Sequence, residues 1–156
     1  MRPSVEVGKL VPDFSAKSSS GNELKLSDYK GRTVVLYFYP KDNTPGCTLE
    51  GQDFNSLYAR FDAAGAVILG VSKDSVQSHC KFIEKFGFKF ELLSDEDTEL
   101  CKLFGVFKEK SLYGRKFMGI ERSTFIIDRS GILAAEYRQV KVAGHAQEVL
   151  EKVKSL

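Results

Sequence analysis

The sequence predicts an α/β fold, a central mixed β-sheet flanked by helices, in one domain over residues 1–156. Three observations carry this reading. TVVLYFYP (33–40) and AVILGVS (66–72) are β-branched and aromatic with little polar alternation, the pattern of strands buried on both faces. Each run is followed by apolar residues at helical spacing: Phe54, Leu57, Tyr58 and Phe61 after the first, and Val76, Cys80 and Ile83 after the second. Later, STFIID (123–128) and ILAAEYRQV flank the turn Arg129-Ser130-Gly131, which reads as a β-hairpin.

The remaining elements follow in order. SAKSSSGNE (15–23) reads as a strand end and turn inside the domain rather than a linker. FELLSD (90–95) is a short strand, EDTELCKLFGV a short helix, and AGHAQEVLEKVKSL a closing helix. The order β-α-β-α, hairpin, helix calls for helices on both faces of the sheet. That is the layout of a thioredoxin-like fold. The Cys-x-x-Cys redox signature of that fold is absent, because Thr44 stands where the partner of Cys47 would be.

Composition excludes several function classes. With 42% hydrophobic and 28% charged residues over 156 positions, the chain can bury a full core. The net charge of +2 comes from well-mixed signs and gives no electrostatic case for nucleic-acid or membrane partners. No apolar run reaches membrane-spanning length, and the opening MRPSVEVGKLVPDF has no apolar segment of a secretory signal. Three widely spaced cysteines make no secreted disulfide framework, so a cytoplasmic protein with reduced thiols is expected.

The stretch YFYPKDNTPGCTLEGQDF (37–54) points to chemistry. Pro45 and Gly46 end the strand, and Cys47 falls in the first turn of the helix. Backbone N–H groups there lack intrahelical partners, and the helix dipole favours negative charge. A cysteine so placed is stabilised as thiolate. The strand end sets it at the carboxyl edge of the sheet, where open α/β folds bind ligands. The competing reading is a buried cysteine serving as a small apolar filler.

Pro40-x-x-x-Thr44-x-x-Cys47 resembles the active-site motif of the peroxiredoxins, and FYPKDNTPGCTLE is similar to the peroxiredoxin Q, or bacterioferritin comigratory protein, subgroup. Pro12-Asp13-Phe14 and KEKSLYGRKFMGIERSTFIID (108–128) fit the same subgroup, and the likeness runs over about residues 5 to 155. The resemblance implies a thiol-dependent peroxidase without metal or organic cofactor. Cys47 would be the peroxidatic cysteine, oxidised by a hydroperoxide to a sulfenic acid. The Thr44 hydroxyl would donate to the bound peroxide, Pro40 would shield the thiolate, and Arg122 would offer its fork of donors to substrate and thiolate. Glu50, one helical turn after Cys47, would orient Arg122. Thioredoxin or a similar thiol is the implied reductant, and a monomer the implied state.

The sequence departs from the subgroup at the resolving cysteine. Where many members carry it five positions after the first, this chain has Gln52; where others carry it in the next helix, it has Ile83. Cys80 lies one turn before Ile83 and is the candidate resolving cysteine, if its helix unwinds locally. The alternatives are that Cys80 fills the core and that the enzyme is a one-cysteine peroxidase recycled by an external thiol. Cys101, among Leu100, Leu103 and Phe104, reads as core. Two remote readings are a cysteine hydrolase using His79 or His145, both expected at surface or cap positions, and a thiol or metal carrier, for which the cysteine spacing is wrong.

Overall fold

A computed structural model describes residues 5–156, so the first four residues of the expected domain lie outside the described part. In chain order the elements are β1 (Ser15–Ser18), β2 (Glu23–Lys25), a 3-10 turn (Leu26–Tyr29), β3 (Thr33–Phe38), α1 (Pro45–Ser56), α2 (Tyr58–Ala63), β4 (Ala66–Ser72), α3 (Val76–Phe86), β5 (Glu91–Ser94), α4 (Glu99–Leu103), β6 (Phe107–Leu112), β7 (Arg115–Ile120), β8 (Ser123–Ile127), β9 (Leu133–Tyr137) and α5 (His145–Lys154).

β3 is buried at all six positions, as its unbroken apolar run requires, and it lies inside a seven-stranded sheet ordered β2-β1-β5-β4-β3-β8-β9. It pairs in parallel with β4, from Thr33↔Ala66 to Phe38↔Val71, and antiparallel with β8. The sheet is therefore mixed, with helices on both faces. Because strand side chains alternate, Val35, Tyr37 and Tyr39 enter one layer with Phe54, Phe61, Phe82, Val149 and Leu150, contributed by α1, α2, α3 and α5. Val34, Leu36 and Phe38 enter the other with Leu100, Cys101, Phe104 and the N-terminal Val5 and Val11.

Three local features differ from the sequence reading. The helix after β3 breaks at Leu57 (φ −101°, ψ 7°), which separates α1 from α2 while Phe54 and Phe61 stay buried. The buried positions of α3 are His79 and Phe82, whereas Cys80 is exposed. Aromatic packing sets this phase: the Phe82 and Phe88 rings meet edge to face at 5.0 Å and seat the helix on Phe82. Cys80 is thus not a core residue. Finally, β6 and β7 form a two-stranded hairpin of their own within a segment read only as a family motif. Its turn, Tyr113-Gly114, has φ of 51° and 77°, the geometry of a type I′ connection, but lacks the usual Asn-Gly cue.

Gly70 on β4 is tightly packed: an added Cβ would lie 2.7 Å from Leu92 Cδ2 and 2.9 Å from Tyr37 Cζ. Gly70→Ala is therefore expected to destabilise the fold by about 1–3 kcal/mol, read as a lower urea midpoint. An unchanged midpoint would mean that this layer is more loosely packed than described.

Candidate active site

The site begins where β3 hands over to α1. Thr44 is the N-cap residue with extended backbone (φ −89°, ψ 156°), and Pro45 takes the first helical position, where its missing N–H removes nothing. The Thr44 carbonyl accepts from Thr48 N at 2.8 Å, which closes the first turn. Cys47 follows as the third helical residue, only 2% exposed. The first turn of α1 carries no acidic side chain, so the positive end of the helix dipole faces Cys47 uncompensated.

Arg122 arrives from the neighbouring strand. β8 runs antiparallel to β3 with Ser123 opposite Phe38, so Arg122, one residue earlier, sits level with the end of β3 and the start of α1. Its backbone carbonyl is held by Val140 N at 2.9 Å. One guanidinium nitrogen, Nη2, donates to Cys47 Sγ at 3.4 Å, and the other, Nη1, donates to Glu50 Oε1 at 2.7 Å. Glu50 reaches the same cation because i and i+3 share a helix face. Gly46 makes room for the fork: a Cβ there would lie 3.2 Å from Arg122 Nη2.

The electrostatics follow from burial. Glu50 is 1% exposed and its Oε2 has no partner among the described residues, and burial raises its pKa to about 7 even though Arg122 pulls the other way. Burial also works against the Arg122 cation, but Glu50 and Cys47 outweigh it and hold its pKa above the ordinary arginine value. Lys110 on β6 is a second cation nearby; burial, then repulsion by Arg122, lowers its pKa. Tyr37 lies beneath, stacked on Phe54 with ring centroids 4.6 Å apart. Burial, then the charges of Glu50 and Cys47, push its hydroxyl well above the usual range and keep it neutral.

Cys47, Arg122 and Glu50 thus come together in direct contact. Pro40 is half-buried in the loop between β3 and α1. Thr44 is half-buried at the helix start, and its hydroxyl donates to Lys41 O at 2.8 Å. Cys80 is not in this cluster. It is exposed, and its Sγ donates to Ser19 O at 3.1 Å in the turn between β1 and β2, with β5 and β4 between that hairpin and β3. Cys101 is fully buried, and burial followed by Asp95 raises its thiol pKa far out of reach of reaction.

Both histidines depart from the expected surface or cap positions. His79 is fully buried, with Nδ1 2.7 Å from Asp42 Oδ2 and Nε2 2.9 Å from Leu93 O. His145 opens α5 but is 4% exposed, with Nε2 2.7 Å from Thr124 Oγ1. Neither bonds Cys47, so no histidine base serves this thiol. The spacing His79, Phe82, Phe86 was a signal for a buried histidine, masked by the polar residues between them. Asp42, Asp74 and His79 place ligand-type atoms within 4.8 Å of one another. Their atoms are already engaged: Asp42 accepts from Tyr39, Ser78 and His79, and Asp74 Oδ2 from Ser72 and the Asp42 amide. This donor set is a satisfied hydrogen-bond network rather than a vacant cation cage.

The chain is similar to known proteins along nearly its whole length. Residues 7–136 match the AhpC/TSA family. The chain is 49% identical to Peroxiredoxin Bcp of Bacillus subtilis over 152 residues, covering 97% of each chain. It is 52% identical to Peroxiredoxin Bcp of Xanthomonas campestris over 143 residues, covering 92% of this chain and 89% of that one. Among solved structures, Xanthomonas campestris peroxiredoxin Q superposes with a TM-score of 0.87 at 52% identity, covering 91% of this chain and 90% of that one. A cysteine-to-serine mutant of the Xylella fastidiosa protein superposes with a TM-score of 0.92 at 47% identity, covering 97% and 96%. An α/β sheet of thioredoxin type, a thiol at a helix start under a shared arginine, and half-identical relatives along nearly the whole length lead to one conclusion: the chain belongs to the AhpC/TSA family, as a peroxiredoxin of the Q, or Bcp, kind.

Proposed function

We propose that Cys47 is the peroxidatic centre of a thiol-dependent peroxidase and that Arg122 is the residue that activates it. The observation that carries this is the 3.4 Å contact from Arg122 Nη2 to Cys47 Sγ. The thiolate attacks one oxygen of a hydroperoxide; the S–O bond forms as the O–O bond breaks, and the departing oxygen takes up a proton as water or an alcohol. Cys47 is left as a sulfenic acid. Arg122 and the α1 amides are fixed donors aimed where negative charge develops. The Thr44 hydroxyl takes part by exchanging its bond to Lys41 O for one to the peroxide, and Pro40 excludes water from the thiol. Alkyl peroxide reduction is described for the Xanthomonas campestris protein, which supports organic hydroperoxides as substrates here.

Return to the thiol proceeds by condensation. A second thiol displaces the sulfenic oxygen as water and leaves a disulfide, which a dithiol such as thioredoxin reduces. Cys80 fits the part of second thiol by its exposure. It must first leave Ser19 and turn to within disulfide reach of Cys47, a change for which we assign local opening of α3. The second reading, a one-cysteine cycle with an external thiol, is favoured by the direction in which Cys80 points. We assign the chain to the reducing cytoplasm on its cysteine usage, and to a monomer on its resemblance to the peroxiredoxin Q subgroup.

The intact mass after one equivalent of hydrogen peroxide separates these cycles. Loss of two hydrogens with a Cys47–Cys80 link assigns the two-cysteine cycle. Gain of one oxygen at Cys47 alone assigns the one-cysteine cycle, and no change at Cys47 overturns the peroxidase reading. Cys47→Ser is expected to abolish peroxide consumption.

Arg122 serves two anions, and the second leaves a mark on stability. The folded-state pKa of Glu50, about 7, lies above its unfolded value, so between the two the folded protein binds the extra proton. Stability from this group is therefore fully present below the ordinary carboxylate value and is lost as pH rises towards 7. Relative to Glu50→Gln, the wild type should gain on the order of a few kcal/mol as pH falls from 8 to 5, measured by urea unfolding. The opposite slope would mean that the Arg122 pair dominates over burial.

A further inference from the structure

The loop that carries Pro40 and Thr44 is tied to α3 by a buried hydrogen-bond network in which Asp42 is the hub. Asp42 is 8% exposed. Its Oδ1 accepts from the Tyr39 hydroxyl, and its Oδ2 lies 2.8 Å from Ser78 Oγ and 2.7 Å from His79 Nδ1. Its amide donates to Asp74 Oδ2 at 2.8 Å, and Asp74 is held in turn by Ser72 Oγ at 2.6 Å. His79 completes the span by bonding Leu93 O on β5 through Nε2 at 2.9 Å. Next along the loop, Asn43 adopts a left-handed φ of 62° and its side chain accepts from Lys85 Nζ at 3.1 Å. Three residues of α3 therefore hold the loop: Ser78 and His79 by its carboxylate, and Lys85 by its amide.

We infer that His79 and Asp42 form a clamp that makes the peroxide-reactive geometry and the closed α3 one cooperative state. Both ends of the proposed cycle pass through it. With the clamp closed, the loop presents Thr44 and the first turn of α1, while Cys80, the residue after His79, is exposed and bonded to Ser19 O. Opening α3 far enough to bring Cys80 to Cys47 removes His79 from Asp42 and leaves that buried carboxylate short of a donor. The loop then loses its anchor in the same event. His79 is a positioning residue: it touches neither the thiol nor the substrate. The clamp should oppose disulfide formation and favour peroxide attack. The part concerning Cys80 rests on the two-cysteine reading above; the part concerning the loop does not.

The two halves are tested on full-length His79→Ala and Asp42→Asn, the second keeping side-chain shape should the first fail to fold. In the reduced proteins, hydrogen exchange is followed over residues 76–86. In single turnovers quenched and read by mass, the second-order loss of the Cys47 thiol to hydrogen peroxide and the first-order formation of the disulfide are timed separately. Hydrogen bonds to charged groups are strong enough that exchange in α3 should quicken by about tenfold or more. The disulfide step should quicken, and Cys47 oxidation should slow, so the two rates move in opposite directions. Uniform slowing of both, as a structural defect alone would give, overturns the clamp. So does unchanged α3 exchange in a folded variant. Should the wild type form no Cys47–Cys80 disulfide, the two-cysteine reading fails by itself; the clamp then stands on faster exchange with slower oxidation and falls if either is absent.

Discussion

The hydrogen bond from Arg122 to the Cys47 sulfur is the interaction on which the rest of this structure converges. A thiol 2% exposed is cut off from solvent, so negative charge developing on it has to be met by fixed protein donors, and the Arg122 guanidinium is one held against it. The fold supplies that cation from a different strand. β8 must pair with β3 in the observed register for Arg122 to come level with the end of β3, and α1 must begin at Pro45 for Cys47 to meet it. Gly46 leaves the space through which the guanidinium approaches. Sheet register, helix start and glycine are three separate consequences of sequence with one spatial result.

Glu50 shows how finely the charges are set. One guanidinium stands against two groups able to carry negative charge, and both are almost fully buried. A carboxyl with a pKa of about 7 can share the arginine rather than neutralise it permanently. Its Oε2 is buried with no hydrogen-bond partner among the described residues, in keeping with burial as the larger influence on this acid. An exposed glutamate in the same position would be fully ionised and would hold Arg122 more tightly for itself. The burial that raises Glu50 also orients the fork, through Oε1 at 2.7 Å.

Much of this was legible in the sequence, and the reasons differ by residue. β3 and β4 announced themselves because strands buried on both faces carry no polar residues to confuse the period. Pro45 and Gly46 marked the start of α1 by turn chemistry, and Cys47 stood out by its place in it. Arg122 was found only through resemblance, since no local rule connects an arginine before β8 to a cysteine 75 positions earlier; the strand register does. The β6–β7 hairpin went unseen because KEKSL and RKFMG lack a clear apolar alternation. Cys80 was placed on a stripe with Val76 and Ile83, but Phe82 packing on Phe88 turned the helix so that His79 faces inward and Cys80 outward. Sequence period alone does not settle which of two adjacent stripes an aromatic residue will claim.

The most direct test of this account is the single-turnover rate at which hydrogen peroxide oxidises Cys47 in the wild type and in Arg122→Gln, followed by loss of free thiol, with circular dichroism confirming the fold. Removing one donor aimed at developing charge typically costs about 10²–10³ in rate, and a fall of that size with an intact fold is the predicted result. A variant that folds and oxidises Cys47 at the wild-type rate would contradict the central claim, because the 3.4 Å contact would then be packing rather than activation.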